Sequence, residues 1–85
     1  MYKIIFSEKA IDSLEKLEIK NRLRILNKIL STKEQPFRYF QKLAYREGYK
    51  LRVGNYRVIV DIEERSKIIT IHFIGHRKSI YEKIK

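Results

Sequence analysis

Several residue types are absent or scarce in this chain of 85 residues. It contains no cysteine and no tryptophan, only one proline and three glycines. Without cysteine, a disulfide framework, a thiolate zinc site and a cysteine nucleophile are all excluded. No apolar run approaches the roughly 18 residues of a membrane span, and the N-terminal run is too short for a signal peptide. We therefore expect a cytoplasmic protein that does not contact membranes.

Acidic side chains are also scarce, with 10 Asp and Glu against 20 Lys and Arg and a formal net charge of +10. This surplus predicts a polyanionic partner, either a nucleic acid or an acidic protein. Half of it lies in residues 35–60, where Glu47 is the only acid. The tyrosines interleaved with these cations are Tyr39, Tyr45, Tyr49 and Tyr56. Cations that contact phosphates, together with rings that stack on bases, are typical of sites for unpaired RNA. The alternative is a solvated basic face with tyrosines in the core.

The N-terminal half of the chain has the hydrophobic spacing of helices. Residues 1–6 are rich in β-formers and precede Ser7, a good helix N-cap. Apolar residues then recur at helical spacing, which predicts helices over about 8–17 and 19–31, paired as a hairpin. Residues 37–47 lack a clean period and are expected to form an irregular or partly helical connection.

In the C-terminal half the period changes to two, which predicts β-strands. Strands over 49–53 and 56–62 flank Gly54-Asn55, a strong signal for a tight hairpin turn. A third strand over 67–74 is apolar on nearly both faces and is expected to be a buried central strand, ended by Gly75.

Residues 79–84 form at most a short terminal helix. The whole pattern predicts one α+β domain over residues 1–85. Its expected order is an N-terminal strand, a two-helix hairpin, a three-stranded antiparallel meander and a short C-terminal helix. At 44% hydrophobic residues, such a chain can form a small core.

The predicted hairpin brings three cations together. With a tight turn at Gly54-Asn55, Arg52 lies opposite Arg57, and Lys50 lies on the same sheet face. Like charges directly opposite each other destabilise a hairpin. We interpret the cluster as a phosphate site that is maintained at a cost in stability; the alternative is that the long side chains splay into water.

A second group of polar residues follows the third strand. It consists of Gly75-His76-Arg77-Lys78 and, four residues after Arg77, Tyr81. That spacing places Arg77 and Tyr81 on one face of a helical turn. On spacing alone, a packing tyrosine and a surface histidine are the favoured interpretations.

The element order and three short motifs resemble the RelE/ParE superfamily of toxin–antitoxin toxins. The motifs are Tyr49-Lys50-Leu51-Arg52 before the turn, Tyr56-Arg57-Val58 after it, and Gly75-His76-Arg77 with Ile80-Tyr81 at the end. The chain is most similar to the RelE-type toxins, which are ribosome-dependent mRNA endonucleases. The resemblance covers nearly the whole chain, and the order and spacing of the motifs are more specific than any one of them.

The resemblance implies an endoribonuclease that cleaves mRNA in the ribosomal A site and so inhibits translation. A ribose 2′-hydroxyl would attack the adjacent phosphate while cations stabilise the charge on its oxygens. By the same resemblance, Arg57 is the main stabiliser, Arg77 supports it, and Tyr81 stacks on a base. Lys50 is a candidate general base, because the neighbouring Arg52 and Arg57 favour loss of its proton. The segment between Arg77 and Tyr81 is two residues shorter than in the familiar RelE pattern.

Four further residues are expected to bind RNA: Lys42, Arg46, His76 and Lys78. His76 and Glu47 could also form the acid–base pair that some relatives of RelE use. We rank this pair below the Lys50 scheme because His76 and Arg77 have opposite strand parity. Neither a cofactor nor a metal is expected.

The implied partners are a RelB-like antitoxin, acidic or amphipathic, together with the ribosome and mRNA. Two other functions fit the same chain. A ParE-like toxin shares the fold but blocks DNA gyrase, and a non-catalytic RNA-binding or ribosome-binding module would explain the charge without any reaction.

Overall fold

A computed structural model describes residues 1–44 and 46–84, so Tyr45, one of the interleaved tyrosines, lies outside the described residues. The strands are β1 (Lys3–Phe6), β2 (Gln41–Lys42), β3 (Tyr49–Val53), β4 (Tyr56–Glu63) and β5 (Ile68–His76). The helices are α1 (Glu8–Glu15), α2 (Ile19–Ser31) and α3 (Ile80–Lys83), with a 3-10 helix at Pro36–Arg38. This order confirms the predicted α+β fold, although α1 ends at residue 15 and not at 17.

The strands form one sheet in the order β1-β5-β4-β3-β2. Strands β2, β3, β4 and β5 pair with one another in antiparallel fashion, whereas β1 pairs with β5 in parallel. Strand β5 therefore lies inside the sheet, as its apolar sequence predicts. A parallel pair cannot be joined by a tight turn, and between β1 and β5 the chain runs through α1, α2 and the strands β2 to β4.

The main core lies between one face of the sheet and helices α1 and α2. Fully buried helix residues Ile25 and Ile29 pack in one cluster with strand residues such as Val58 and Ile71. The Ser7 hydroxyl caps α1 by accepting from the Ala10 amide at 3.1 Å. None of the helices in the described residues is long and apolar enough to span a membrane.

The two helices are joined by hydrogen bonds at their corner. The Arg22 guanidinium on α2 donates to the carbonyl oxygens of Leu14, Glu15 and Leu17, at 3.0 to 3.1 Å. Carbonyls at a helix C-terminus have no partner within the helix. Arg22 therefore satisfies the end of α1 and holds α2 against it.

Helix α3 covers part of the opposite face of the sheet. Ile80 and Ile84 pack with Ile59 and Phe73 in a second, smaller cluster. The structure corrects one prediction here, because β5 continues through Gly75 to His76. A Cβ atom at position 75 would lie 2.9 Å from Cδ1 of Ile80, so a larger residue there would force the Ile80 side chain of α3 to shift.

The segment predicted to be irregular holds a strand that the sequence did not reveal. Gln41 and Lys42 form β2 and pair with Lys50 and Tyr49 of β3. The partly helical character expected for this region is present as the 3-10 helix at Pro36–Arg38. Because β2 is so short, the edge of β3 beyond Lys50 has no strand beside it in the described residues.

Candidate nucleic-acid interface

The register of the β3–β4 hairpin matches the one predicted from the turn. Arg52 lies directly opposite Arg57, and Lys50 lies opposite Ile59. Gly54 in the turn has a φ of +57°, the left-handed region that glycine adopts without strain. The predicted crowding of Lys50, Arg52 and Arg57 on one hairpin is therefore confirmed.

These three cations share an open cleft of about 330 Å³ with residues from elsewhere in the chain. The cleft is lined by Lys28, Arg38, Tyr39, Gln41, Lys50, Leu51, Arg52 and Arg57. Five of these side chains are cationic, and among the described residues that line the cleft there is no carboxylate. An excess of one charge in a concave site attracts anions to it.

Arg57 is held in place by its own turn. Its Nη1 donates to the carbonyl oxygens of Gly54 at 3.2 Å and of Tyr56 at 2.9 Å. A guanidinium carries further N–H donors on Nη2 and Nε, which remain for an anion in the described part of the molecule. Arg57 is half-buried, so its position is more restricted than that of a surface arginine.

Lys50 and Arg52 differ in their surroundings. Lys50 is half-buried between Gln41 of β2 and Ile59 of β4, which are its neighbours across the sheet. Arg52 is exposed and lies beyond Gln41, the first residue of β2. The edge of β3 is thus open next to the start of β2, at the point where the cations accumulate.

The opposite wall of the cleft comes from residues that the sequence did not single out as a site. Lys28 extends from α2, and Arg38 and Tyr39 come from the 3-10 helix and its end. Arg38 and Tyr39 belong to the basic, tyrosine-rich block, which was the only signal for them. The sequence offers no signal for Lys28, because a lysine on the polar side of α2 is expected simply to face solvent.

Arg77, His76 and Lys78 lie at the tip of the hairpin and do not line the cleft. The Arg77 amide donates to the carbonyl oxygen of Asn55 in the turn, at 2.7 Å. The His76 ring lies edge-on to Tyr56, with ring centroids 5.8 Å apart. All three side chains are exposed, so they extend the basic surface from the cleft to the tip.

Tyr81 and Arg46 are placed outside the cleft as well. Tyr81 is on α3 and is 41% exposed. The Arg46 Nη1 donates to the carbonyl oxygen of Ile84 at 2.7 Å, which ties the loop before β3 to the end of α3. Arg46 therefore has a structural contact in addition to the RNA-binding role predicted for it.

Lys42 lies in a different depression, together with Glu47, Asp61 and Glu63. Its charge is therefore balanced by acids, in contrast to the cations of the cleft. The structure places Lys42 and Lys50 in separate surroundings although they are close on neighbouring strands.

The alternative acid–base pair of His76 and Glu47 is excluded by the sheet. His76 pairs with Tyr56 at one end of β4, whereas Glu47 shares a depression with Asp61. Tyr56 and Asp61 are separated by roughly 16 Å along the strand.

The sequence also did not reveal that Asp61 contacts His72, at 2.7 Å between Oδ2 and Nε2. A bulge in the β4–β5 pairing, between Ile59 and Val60, is next to this contact.

In residues 1–44 and 46–84, no three His, Asp or Glu side chains are grouped so that they could hold a metal ion.

Comparison with known families finds one match that spans most of the chain. Residues 4–81 match the profile of a family described as the ParE toxin of type II toxin–antitoxin system, parDE. Among curated protein sequences, none matches closely enough to count as a relative.

Several solved structures share the fold. The RelBE2 toxin–antitoxin complex of Mycobacterium tuberculosis matches with a TM-score of 0.82 at 23% identity, over 89% of this chain and 98% of that chain. The isolated E. coli RelE toxin matches with a TM-score of 0.75 at 21% identity, over 99% of this chain and 95% of that chain. The RelE–RelB complex of Pyrococcus horikoshii matches with a TM-score of 0.74 at 20% identity, over 89% and 94%. At these identities the likeness is one of fold.

Proposed function

This chain belongs to the ParE toxin family of type II toxin–antitoxin systems, and from that premise we propose that it is an mRNA endoribonuclease acting in the ribosomal A site. The family match confirms the resemblance to the RelE/ParE superfamily that the element order and short motifs indicate. The observation that supports the proposed reaction is the cleft, which joins five cations and, among the lining residues that the structure describes, no carboxylate.

The composition of the cleft suits a phosphodiester in two respects. Cations neutralise the charge of the nucleic-acid backbone, and the release of its counterions favours binding. The transition state of phosphoryl transfer carries charge on its non-bridging oxygens, so fixed N–H donors aimed at them accelerate the reaction. A carboxylate in the same place would repel both the substrate and the transition state.

The proposed reaction is an attack of the ribose 2′-hydroxyl oxygen on the adjacent phosphorus. The bond from O2′ to phosphorus forms while the bond from phosphorus to O5′ breaks. Lys50 accepts the proton of the 2′-hydroxyl, and the leaving O5′ takes a proton from solvent. The products are a 2′,3′-cyclic phosphate and a 5′-hydroxyl end.

Arg57 is the principal stabiliser in this scheme. The turn carbonyls hold its Nη1, while Nη2 and Nε can contact phosphate oxygens. Arg52, directly opposite, contributes a second positive charge. Arg77, at the hairpin tip, contacts the neighbouring phosphate or supports the leaving group, and Tyr81 stacks on a base.

The test is primer extension of a message on translating ribosomes with Arg57→Ala. We expect the cleavage rate to fall roughly 100- to 1,000-fold, the usual effect of removing one fixed donor to a transition state. Arg65→Ala is the matched control, because Arg65 is an exposed arginine in the β4–β5 turn, outside the cleft. If folded Arg57→Ala, checked by circular dichroism, cleaves like the wild type, the assignment is wrong.

We also propose an acidic or amphipathic antitoxin of the RelB kind as partner. The net charge of +10 favours capture by an acidic chain, and the similar structures from M. tuberculosis and P. horikoshii are toxin–antitoxin complexes. In addition, α2 exposes the apolar side chains of Ile19, Leu23 and Leu30, at 67%, 53% and 52%. Exposed apolar residues grouped on one helix are typical of a protein interface.

Leu23→Glu tests the partner proposal separately. It should weaken neutralisation by the cognate antitoxin without changing message cleavage, because Leu23 does not line the cleft. Equal neutralisation of the variant and the wild type would mean that this face of α2 is not part of the interface.

A ParE-like inhibitor of DNA gyrase is the second candidate function, since the matching family is described as the ParE toxin of parDE. A supercoiling assay with purified gyrase distinguishes the two. Gyrase inhibition without cuts in the message would replace the nuclease proposal, and binding to ribosomes without either effect would indicate a non-catalytic module.

A further inference from the structure

We propose that Tyr39 is a stacking platform for an unpaired RNA base and that, with Lys28 and Arg38, it forms a nucleotide-binding wall opposite the hairpin cations. This inference rests on the proposed function only for its ligand class, single-stranded RNA. None of the three residues belongs to the motifs that carry the family resemblance.

The position of Tyr39 is determined by the turn that precedes it. The Tyr39 and Phe40 amides both donate to the carbonyl oxygen of Pro36, at 2.9 Å. Pro36 and Phe40 are buried. Because the residues on both sides of it are anchored in the protein, the backbone holds Tyr39 at the surface, where it lines the cleft.

The Tyr39 ring is partly covered by Lys28 and partly exposed to solvent. The Lys28 Nζ lies over it, 5.2 Å from the ring centroid, which is within the range of a cation–π contact. Tyr39 nevertheless remains 39% exposed. A base can therefore reach the part of the ring that Lys28 leaves open, and the lysine adds a charge for the adjoining phosphate.

The two walls supply different parts of nucleotide recognition. Lys50, Arg52 and Arg57 offer N–H donors for the backbone, and Tyr39 offers an aromatic face for a base. Both are needed for unpaired RNA, because stacking accepts any base whereas charge alone does not distinguish RNA from other polyanions. Tyr81 does not line the cleft, so the base assigned to it belongs to a different nucleotide from the one held between the two walls.

Phe37 provides a close comparison within the same segment. It is 42% exposed, similar to Tyr39. Its ring, however, packs edge-on against Tyr49 with centroids 5.5 Å apart, and it does not line the cleft. Exposure of an aromatic ring in this segment is therefore not enough to place it in the site.

The absence of tryptophan makes a direct test possible. Tyr39→Trp and Phe37→Trp each introduce a single tryptophan into the full chain, whose emission can be excited separately from that of the tyrosines. Both are titrated with a short single-stranded 2′-O-methyl RNA, which cannot be cleaved through its 2′-oxygen. We expect saturable quenching of Tyr39→Trp, as stacking on a base produces, and little change in Phe37→Trp.

Two further ligands separate stacking from charge attraction. An oligonucleotide of equal length and charge with abasic sites should bind more weakly and leave the Tyr39→Trp emission nearly unchanged. Equal quenching by the abasic ligand would show that the site contacts only phosphates and stacks on no base. Quenching by polyglutamate would show that the wall binds an acidic protein segment. Either result overturns the inference.

Affinity variants give a second measurement that does not depend on tryptophan. Tyr39→Ala should bind the 2′-O-methyl RNA roughly 10- to 100-fold more weakly, the range that loss of one stacked base produces, while Tyr39→Phe and Phe37→Ala stay close to the wild type. If Tyr39→Ala binds as well as the wild type, the inference is refuted.

The outcomes distinguish this inference from the proposed function. If the wild type makes no A-site cuts and Tyr39→Trp is still quenched by RNA, the nuclease proposal fails and the stacking site stands. If the wild type cuts and Tyr39→Trp is not quenched, only the stacking site fails.

Discussion

Replacing Arg52 with glutamine should make the protein more stable and less active at the same time. The two arginines face each other across the hairpin, where opposing Cβ atoms are about 5 Å apart. Two unit charges at about 5 Å in water repel by about 0.8 kcal/mol, and less as the side chains diverge. We therefore expect Arg52→Gln to gain about 0.5 kcal/mol, within the range measured for cross-strand pairs.

Thermal unfolding at low ionic strength is the assay. For a domain of this size, about 0.5 kcal/mol corresponds to a rise in Tm of about 2 to 4 °C. In about 1 M salt the Debye length is only about 3 Å, so the difference between variant and wild type should disappear. The salt dependence of RNA binding should also weaken, by about 0.7 in the slope of log K against log salt, for the loss of one contact to a single strand.

Arg65→Gln is the control, because Arg65 lies in the turn beside Glu63 and Glu64 and removing it relieves no repulsion. It should leave the Tm unchanged or slightly lower. A lower Tm for Arg52→Gln at low salt, or a gain that persists in 1 M salt, would refute the view that the cations are held together at a cost in stability.

Three other substitutions test the fold around the site. Gly75→Ala places a methyl group against Ile80 and should lower the free energy of unfolding in urea by about 1–3 kcal/mol. The double variant Gly75→Ala/Ile80→Val should recover part of this loss. An unchanged urea midpoint for Gly75→Ala would contradict the close approach of α3. Ser7→Ala removes an N-cap that also hydrogen-bonds to β5 and should cost about 1–2 kcal/mol by the same measurement. Arg46→Gln breaks the bond to Ile84 and should lower stability by about 1 kcal/mol and speed amide exchange in α3; weaker RNA binding at unchanged stability would instead indicate a purely RNA-binding role.

The hairpin illustrates what could be predicted locally. The alternation of apolar residues around Gly54-Asn55 specifies both strands and their register, since a tight turn leaves only one way to align them. The facing of Arg52 and Arg57 follows from that register. This part of the site was therefore accessible from the sequence.

The other wall of the cleft could not be predicted in the same way. Lys28 is 22 residues before Lys50 in the chain and is brought to it only by the packing of α2 against the sheet. Strand β2 has only two residues, too few to produce a period, and exists because β3 offers it an edge. The end of β5 was also misplaced, because glycine in a strand signals either a stop or a close contact, and the contact with Ile80 is visible only in the folded chain.

The sequence alone determined most elements of this protein, its surplus of positive charge and the motifs that indicate its family, because periodicity, capping and turn chemistry act between residues a few positions apart. Only the tertiary structure decided which cations share a cleft, that Tyr39 lies among them, and that Arg46, Arg77 and Tyr81 lie outside it. The reason is physical: a cleft is formed by surfaces from distant segments, and their juxtaposition depends on how helices and strands pack around a common core.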